Sequence, residues 1–251
     1  MCRDCGCSLG PTAARAPFAA QPAPQGLHVE SIEVITAILG ENDRVAAHNR
    51  SHFDAQGVFA VNLMSSPGSG KTSLLESTIR ALAGEIRIAV IEGDLATEND
   101  AARIRACGVP AVQITTGNAC HLDAQMVHDA LHDLPLEGID VLFVENVGNL
   151  VCPASFDLGV HRNLTLLSVP EGDDKPAKYP VMFRGADLAL ITKVDLLPHI
   201  EEFSVARARD SLRQVGFQGD IIELTRRGGP GFDAWLAWLR GEVAARRAAA
   251  A

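Results

Sequence analysis

Seven short apolar runs constrain the fold of this chain, since each is too short for a buried helix and lacks the polar alternation of a solvent-facing strand. They are VFAVNLM at 58–64, RIAVIEG at 87–93, AVQITT at 111–116, DVLFVEN at 140–146, LTLLSV at 164–169, LALITK at 188–193 and DIIEL at 220–224. Runs of this kind predict strands covered on both faces. Helical stretches separate most of them, such as SLLESTIRALAG at 73–84 and EEFSVARARDSLRQVG at 201–216. That alternation predicts an α/β fold, a mostly parallel sheet with helices on both faces. With 251 residues and a hydrophobic fraction of 47%, the chain can fill one large core of this type. A helix with Ile32, Ile35, Ile38 and Leu39 on one face is expected to begin near Ser31, a passable N-cap. WLAWLR at 235–240 reads as a closing helix, followed by a frayed RRAAAA end.

The first run leads into SSPGSGKTS at 65–73. This fits the phosphate-binding pattern G-x-x-x-x-G-K-[ST] at Gly70, Lys71 and Thr72, with Ser65 where the first glycine is expected. Gly68 and Gly70 permit the turn that aims successive N–H groups at phosphate oxygens. Lys71 reaches the β- and γ-phosphates, the Thr72 hydroxyl binds Mg²⁺, and the following helix contributes its positive end. The pattern makes the chain a P-loop NTPase. Asp94 and Glu145 close two other runs, and strand ends of a parallel sheet gather on one rim. Both are candidates to hold Mg²⁺, directly or through water, and Asp94 can also orient an attacking water. Lys71, Thr72, Asp94 and Glu145 are thus the expected catalytic set. ITKVD at 191–195 is similar to N-K-x-D, with Thr192 at the Asn position. Asp195 can accept two hydrogen bonds from guanine, and Lys193 can lie along the base plane. Adenine would leave the acid unpaired, which points to GTP over ATP and against a small-molecule kinase.

Six cysteines remain to be explained. The net charge of −9 argues against a nucleic-acid partner. No apolar run approaches the roughly 20 residues of a membrane span, and no apolar secretory segment opens the chain. A cytoplasmic protein keeps its thiols reduced, so clustered cysteines suggest metal binding. Cys2, Cys5 and Cys7 crowd MCRDCGC, and the Ala/Pro/Gln-rich residues 8–27 read as a flexible linker to a domain spanning 28–251. Three thiolates with the α-amino nitrogen form a set suited to Ni²⁺. Cys120 and His121, and separately Cys152, follow predicted strands on the ligand-binding rim. Together they suit Zn²⁺ or Ni²⁺, although spacing alone leaves two unrelated cysteines and a capping histidine equally open. Cys107 reads as a core or helix-end residue. His48 and His52, spaced i, i+4, read as surface histidines with no third ligand nearby.

The P-loop, EGD, CH, ENVGNLVCP, KYP and TKVD occur in an order that resembles the HypB family of nickel-incorporation GTPases, over residues 28–240 and at the N-terminal motif. The resemblance implies a SIMIBI-class P-loop fold and GTP hydrolysis, and turnover is expected to be slow because no residue stands out as a strong general base. It also implies nickel delivery to [NiFe]-hydrogenase. Because Cys152 lies on the loop that follows Glu145, metal affinity is expected to follow nucleotide state. By this resemblance Gly68, Ser69, Gly70, Lys71, Thr72 and Ser73 form the phosphate loop, and Lys193 with Asp195 the base site. Cys2, Cys5 and Cys7 match a nickel motif, while Cys120, His121 and Cys152 match a nickel or zinc site. A homodimer, a HypA-type nickel accessory protein and the hydrogenase large subunit are the implied partners. Thr192 departs from the family pattern and puts guanine affinity in doubt. No polyhistidine tract is present, which argues against nickel storage. A related GTPase of the urease-accessory type is the alternative.

Overall fold

The computed structural model describes residues 27–94, 99–117, 119–225 and 228–250, with side chains for those between 36 and 249. The chain divides into two compact units, residues 1–36 and 37–251. Of the first, only the opening turns of helix α1 (Leu27–Gln56) are described. The cysteine motif at 2, 5 and 7 and nearly all of the expected linker lie outside the described residues.

All seven predicted strands form, and they make one sheet. They are β1 (Phe59–Ser65), β2 (Ile88–Asp94), β3 (Ala111–Thr115), β4 (Val141–Glu145), β5 (Arg162–Ser168), β6 (Leu188–Thr192) and β7 (Asp220–Leu224). Their order is β3-β2-β4-β1-β5-β6-β7, and every neighbouring pair is parallel. The expectation of a mostly parallel sheet was therefore conservative. The order reverses around β1, which lies between β4 and β5, and such switch points open a crevice at the carboxyl ends of the strands.

Apolar side chains on both faces explain why the strands read as continuous runs. On one face Val61, Leu63, Val90 and Phe143 pack against Leu75 and Ile79 of α2 (Lys71–Ala81) and Trp235 and Leu239 of α8 (Pro230–Ala250). On the other, Ala60, Ile91 and Val144 meet Phe53 of α1 and Val127 of α4 (Ala124–Ala130). Ala189 and Ile191 meet Met182 and Phe183 of α6 (Pro180–Arg184) and Leu212 of α7 (Val205–Gln214). Helices α3 (Asn99–Ala106) and α5 (Lys175–Lys178) complete the set. Cys107 follows α3 and packs half-buried on the core, as expected.

Helix boundaries depart from the sequence reading in three places. Ser31 is inside α1, which starts at Leu27, because no helix breaker lies between these residues. Helix α7 starts at Val205, since the Ser204 side chain caps it by accepting the Arg207 N–H. The RRAAA end is helical to Ala250. Alanine favours that state, and Arg246 and Arg247 anchor the end by pairing with Asp54 and Asp140.

Asp140 also accepts the backbone N–H of Arg87 at 2.9 Å and two guanidinium bonds from that residue at 3.2 Å. These contacts outweigh the cost of burial and hold its carboxyl at about 2, against 3.8 ordinarily. The depressed value stabilises the fold above pH ~4, and this contribution disappears as pH falls towards 2. Asp140→Asn is expected to cost about 2 kcal/mol at neutral pH, with the deficit vanishing near pH 2. Urea denaturation across this range measures it.

Candidate nucleotide and metal site

The loop after β1 wraps where the sequence places it. Gly68 has φ 74° and Gly70 φ 105°, left-handed values that carry little strain in glycine. Helix α2 then starts at Lys71 with Gly70 as its N-cap. Ser65 has a specific use in place of glycine. It is fully buried, and its hydroxyl accepts from Lys71 Nζ at 2.9 Å and from Ser69 Oγ at 2.5 Å. It therefore fixes the lysine head beneath the loop.

A cavity of about 390 Å³ lies at this rim, lined by Gly68, Gly70, Lys71, Thr72 and Ser73 and by the ends of β2 and β4. Asp94 and Glu145 both line it, as expected. Glu145 is buried and accepts the Thr72 hydroxyl at 2.9 Å through Oε1. Two acids that the sequence reading passed over are also present, Glu92 and Asp100. Glu92 stands directly opposite Glu145 in the β2–β4 register and is 2% exposed. Burial, and then the Glu145 charge, push the Glu92 carboxyl far above its ordinary range. Burial also raises Glu145, against the opposing pull of Lys71 and Thr72. Glu92 Oε1 and Glu145 Oε2 are buried with no hydrogen-bond partner. Four acids thus face two cations in the cavity, Lys71 and Arg103. Orphaned buried carboxylate oxygens next to a hydroxyl are a donor set suited to a hard divalent ion, so these residues fit Mg²⁺.

A second cavity of about 310 Å³ adjoins the loop, lined by Ser69, Gly70, Ser73, Thr192, Lys193, Leu224, Thr225 and Phe232. Thr192 is buried at the end of β6 and donates to the Ser69 carbonyl at 2.7 Å, so the Thr-for-Asn departure keeps a tie to the phosphate loop. Lys193 has φ 61°, the one non-glycine residue among the described residues in the left-handed region, and its Nζ donates to the Gly68 carbonyl at 2.6 Å. Asp195 lies in the following 3-10 turn, exposed and outside the lining of this cavity.

Cys120, His121 and Cys152 do converge, and their three ligand atoms lie within 4.8 Å of one another. The sulfurs are 3.0 Å apart, and Cys120 Sγ is 3.9 Å from His121 Nδ1. The shared hydrogen bond with Cys120 raises the Cys152 thiol, and burial lowers His121. A lowered imidazole stays neutral and ready to ligate, while a raised thiol must give up its proton to a metal. Two soft sulfurs and one nitrogen suit Ni²⁺ or Zn²⁺ and leave a coordination position open. Residues the sequence reading did not single out hold the set in place. Phe156 stacks on His121 with ring centroids 4.0 Å apart. Asn149 donates to the Cys120 carbonyl at 3.1 Å, and Asn146 accepts the Leu122 N–H at 3.1 Å.

One segment, residues 145–152, joins the two sites. Glu145 holds Thr72, and a Cβ on Gly148 would lie 2.9 Å from backbone atoms of Pro67 in the phosphate loop. Cys152 of the same segment belongs to the cysteine–histidine cluster, Asn149 bonds the Cys120 carbonyl, and Asn146 bonds the Leu122 N–H next to His121.

Comparison with known proteins gives the family of the chain. Residues 59–221 match the family described as CobW/HypB/UreG, nucleotide-binding domain. The chain is 51% identical over 239 residues to the hydrogenase maturation factor HypB of Azotobacter chroococcum mcd 1, covering 94% of this chain and 75% of that one. This chain belongs to the HypB family. The HypB of Escherichia coli strain K12 is 52% identical over 208 residues, covering 83% of this chain and 71% of its own length. A crystal structure of HypB from Helicobacter pylori in complex with nickel superposes with a TM-score of 0.77 at 41% identity, covering 81% of this chain and 95% of that one. The all-parallel, P-loop architecture is thus that of solved HypB proteins.

Proposed function

We infer that this HypB-family chain is a nickel carrier for hydrogenase maturation, in which GTP binding and hydrolysis set the hold on the metal. The observation that carries this reading is the 145–152 segment, which touches the phosphate loop through Glu145 and Gly148 and the cysteine–histidine cluster through Asn149 and Cys152. Lys71 and the loop amides would bind the phosphates, and Thr72, Asp94 and Glu145 would hold Mg²⁺. That ion would supply positive charge to the transferring phosphoryl group. Guanine would occupy the cavity beside Thr192 and Lys193, with Asp195 brought to the base. Loss of the γ-phosphate would relax the phosphate loop and move Gly148 against Pro67, altering the cluster beyond it.

The domain reading proposed with this function has residues 1–7 as a loading motif, 8–27 as a tether and 28–251 as the GTPase body. Cys2, Cys5 and Cys7 would take Ni²⁺, and the inner cluster Ni²⁺ or Zn²⁺. The open coordination position admits a ligand from a second copy, consistent with a homodimer. A HypA-type donor and the hydrogenase large subunit would be the cytoplasmic partners.

The test is Ni²⁺ affinity, by competition with a chelator, in the intact chain and in one lacking residues 1–7. Each is measured with GDP and with a non-hydrolysable GTP analogue. Tight binding is expected to be lost on truncation. The remaining site is expected to differ between nucleotides by about 5- to 150-fold. Gly148→Ala, whose methyl group would press on Pro67, is expected to shrink that difference. Identical affinities with both nucleotides would overturn the gating reading.

A further inference from the structure

We propose that His48, His128 and His132 form a second binding site for a late transition-metal ion, built of imidazole alone and separate from the thiolate cluster. The sequence pairs His48 with His52 by spacing, but the fold gives His48 a different neighbour. The His48 ring lies 5.1 Å from that of His128, centroid to centroid, and His128 lies 5.2 Å from His132. His48 and His132 are exposed and His128 is half-buried between them.

The backbone under His48 and His128 is fixed. Asn42 and Asn49 of α1 clamp the start of α4 by bonding the Ala124 N–H and carbonyl at 2.9 and 2.8 Å. His48 directly precedes Asn49, and His128 lies one helical turn beyond Ala124. His132 lies two residues past the end of α4, in the turn where its backbone N–H bonds the Asp129 carbonyl at 3.2 Å, and that turn brings its ring beside His128. A cavity of about 260 Å³ opens beside His48 and His128, bordered by Arg44 and Gln125. Arg44 is turned to Glu41, which it bonds at 2.6 and 3.0 Å, and Gln125 is turned to Asp129 at 2.8 Å. Neither competes for the imidazoles.

The spacing has a chemical meaning. Metal–imidazole bonds of about 2.1 Å at a tetrahedral angle put two ring centroids about 5 Å apart, close to both observed separations. The rings now meet edge to face, and among the described residues only the Cys120 cluster has three donors already converged. Rotation of the exposed His48 and His132 about their side-chain bonds turns their nitrogens towards His128. Imidazole donors accept Ni²⁺, Zn²⁺ or Cu²⁺ and reject Mg²⁺.

The test uses the full chain with Cys2, Cys5, Cys7, Cys120 and Cys152 changed to serine and His121 to glutamine, which removes every side-chain donor of the other two sites. Equilibrium dialysis against Ni²⁺ alone is expected to leave one ion per chain. That ion should be lost on adding either His48→Gln or His128→Gln and kept on adding His52→Gln. In the otherwise unaltered chain, His128→Gln should lower the total by one ion, which guards against misfolding of the multiple variant. No bound ion in this multiple variant, retention in both the His48 and His128 variants, or equal loss with His52→Gln would overturn the proposal.

Discussion

Lys71→Ala is expected to reduce GTP turnover by about 100- to 1000-fold, the usual effect of removing one preorganised group from a site of developing charge. The side chain is 7% exposed, and its Nζ is already held by Ser65 Oγ at the floor of the phosphate cavity. Its loss also removes the cation that draws down the Glu92 and Glu145 carboxyls, leaving the buried pair less able to hold Mg²⁺. Turnover should fall together with the protection from heat that GTP gives. Each is measured against the parent chain, by phosphate release and by thermal denaturation with and without GTP. A variant with unchanged turnover would remove Lys71 from the catalytic set.

The strands were legible because burial on both faces leaves an unbroken apolar run, a signal that does not depend on distant partners. The loop was legible because its glycines answer a local backbone need. Residues whose meaning comes from across the sheet were not. Glu92 sits inside the run RIAVIEG and looks like a chance acid until the β2–β4 register sets it opposite Glu145. The bond from Thr192 to the Ser69 carbonyl spans 123 positions, so the sequence showed only a departure from a pattern. His48 was paired with His52 by helical periodicity, while the partner the fold provides lies 80 residues away. The thiolate cluster falls between these cases. Its members could be placed on one rim by topology, but their meeting rests on Asn149 and Phe156, which carry no local signal.

Cys152→Ala is expected to weaken Ni²⁺ binding at the inner cluster by about 100-fold or more, at least the effect of disturbing a ligand's support. GTP affinity without metal should change little, because the side chain points away from the phosphate cavity lining and towards Cys120. The variant also separates two roles that share one segment. Glu145 and Gly148 keep their contacts with Thr72 and Pro67, so the nucleotide side of the segment stays intact. What disappears is the effect of Ni²⁺ on nucleotide affinity, since coupling between two sites is reciprocal. Calorimetric titration of GTP with and without Ni²⁺ measures this. The parent should show a difference, and the variant should show none. If both affinities fall together, Cys152 would be a structural residue of the loop, and the metal would have to be held elsewhere.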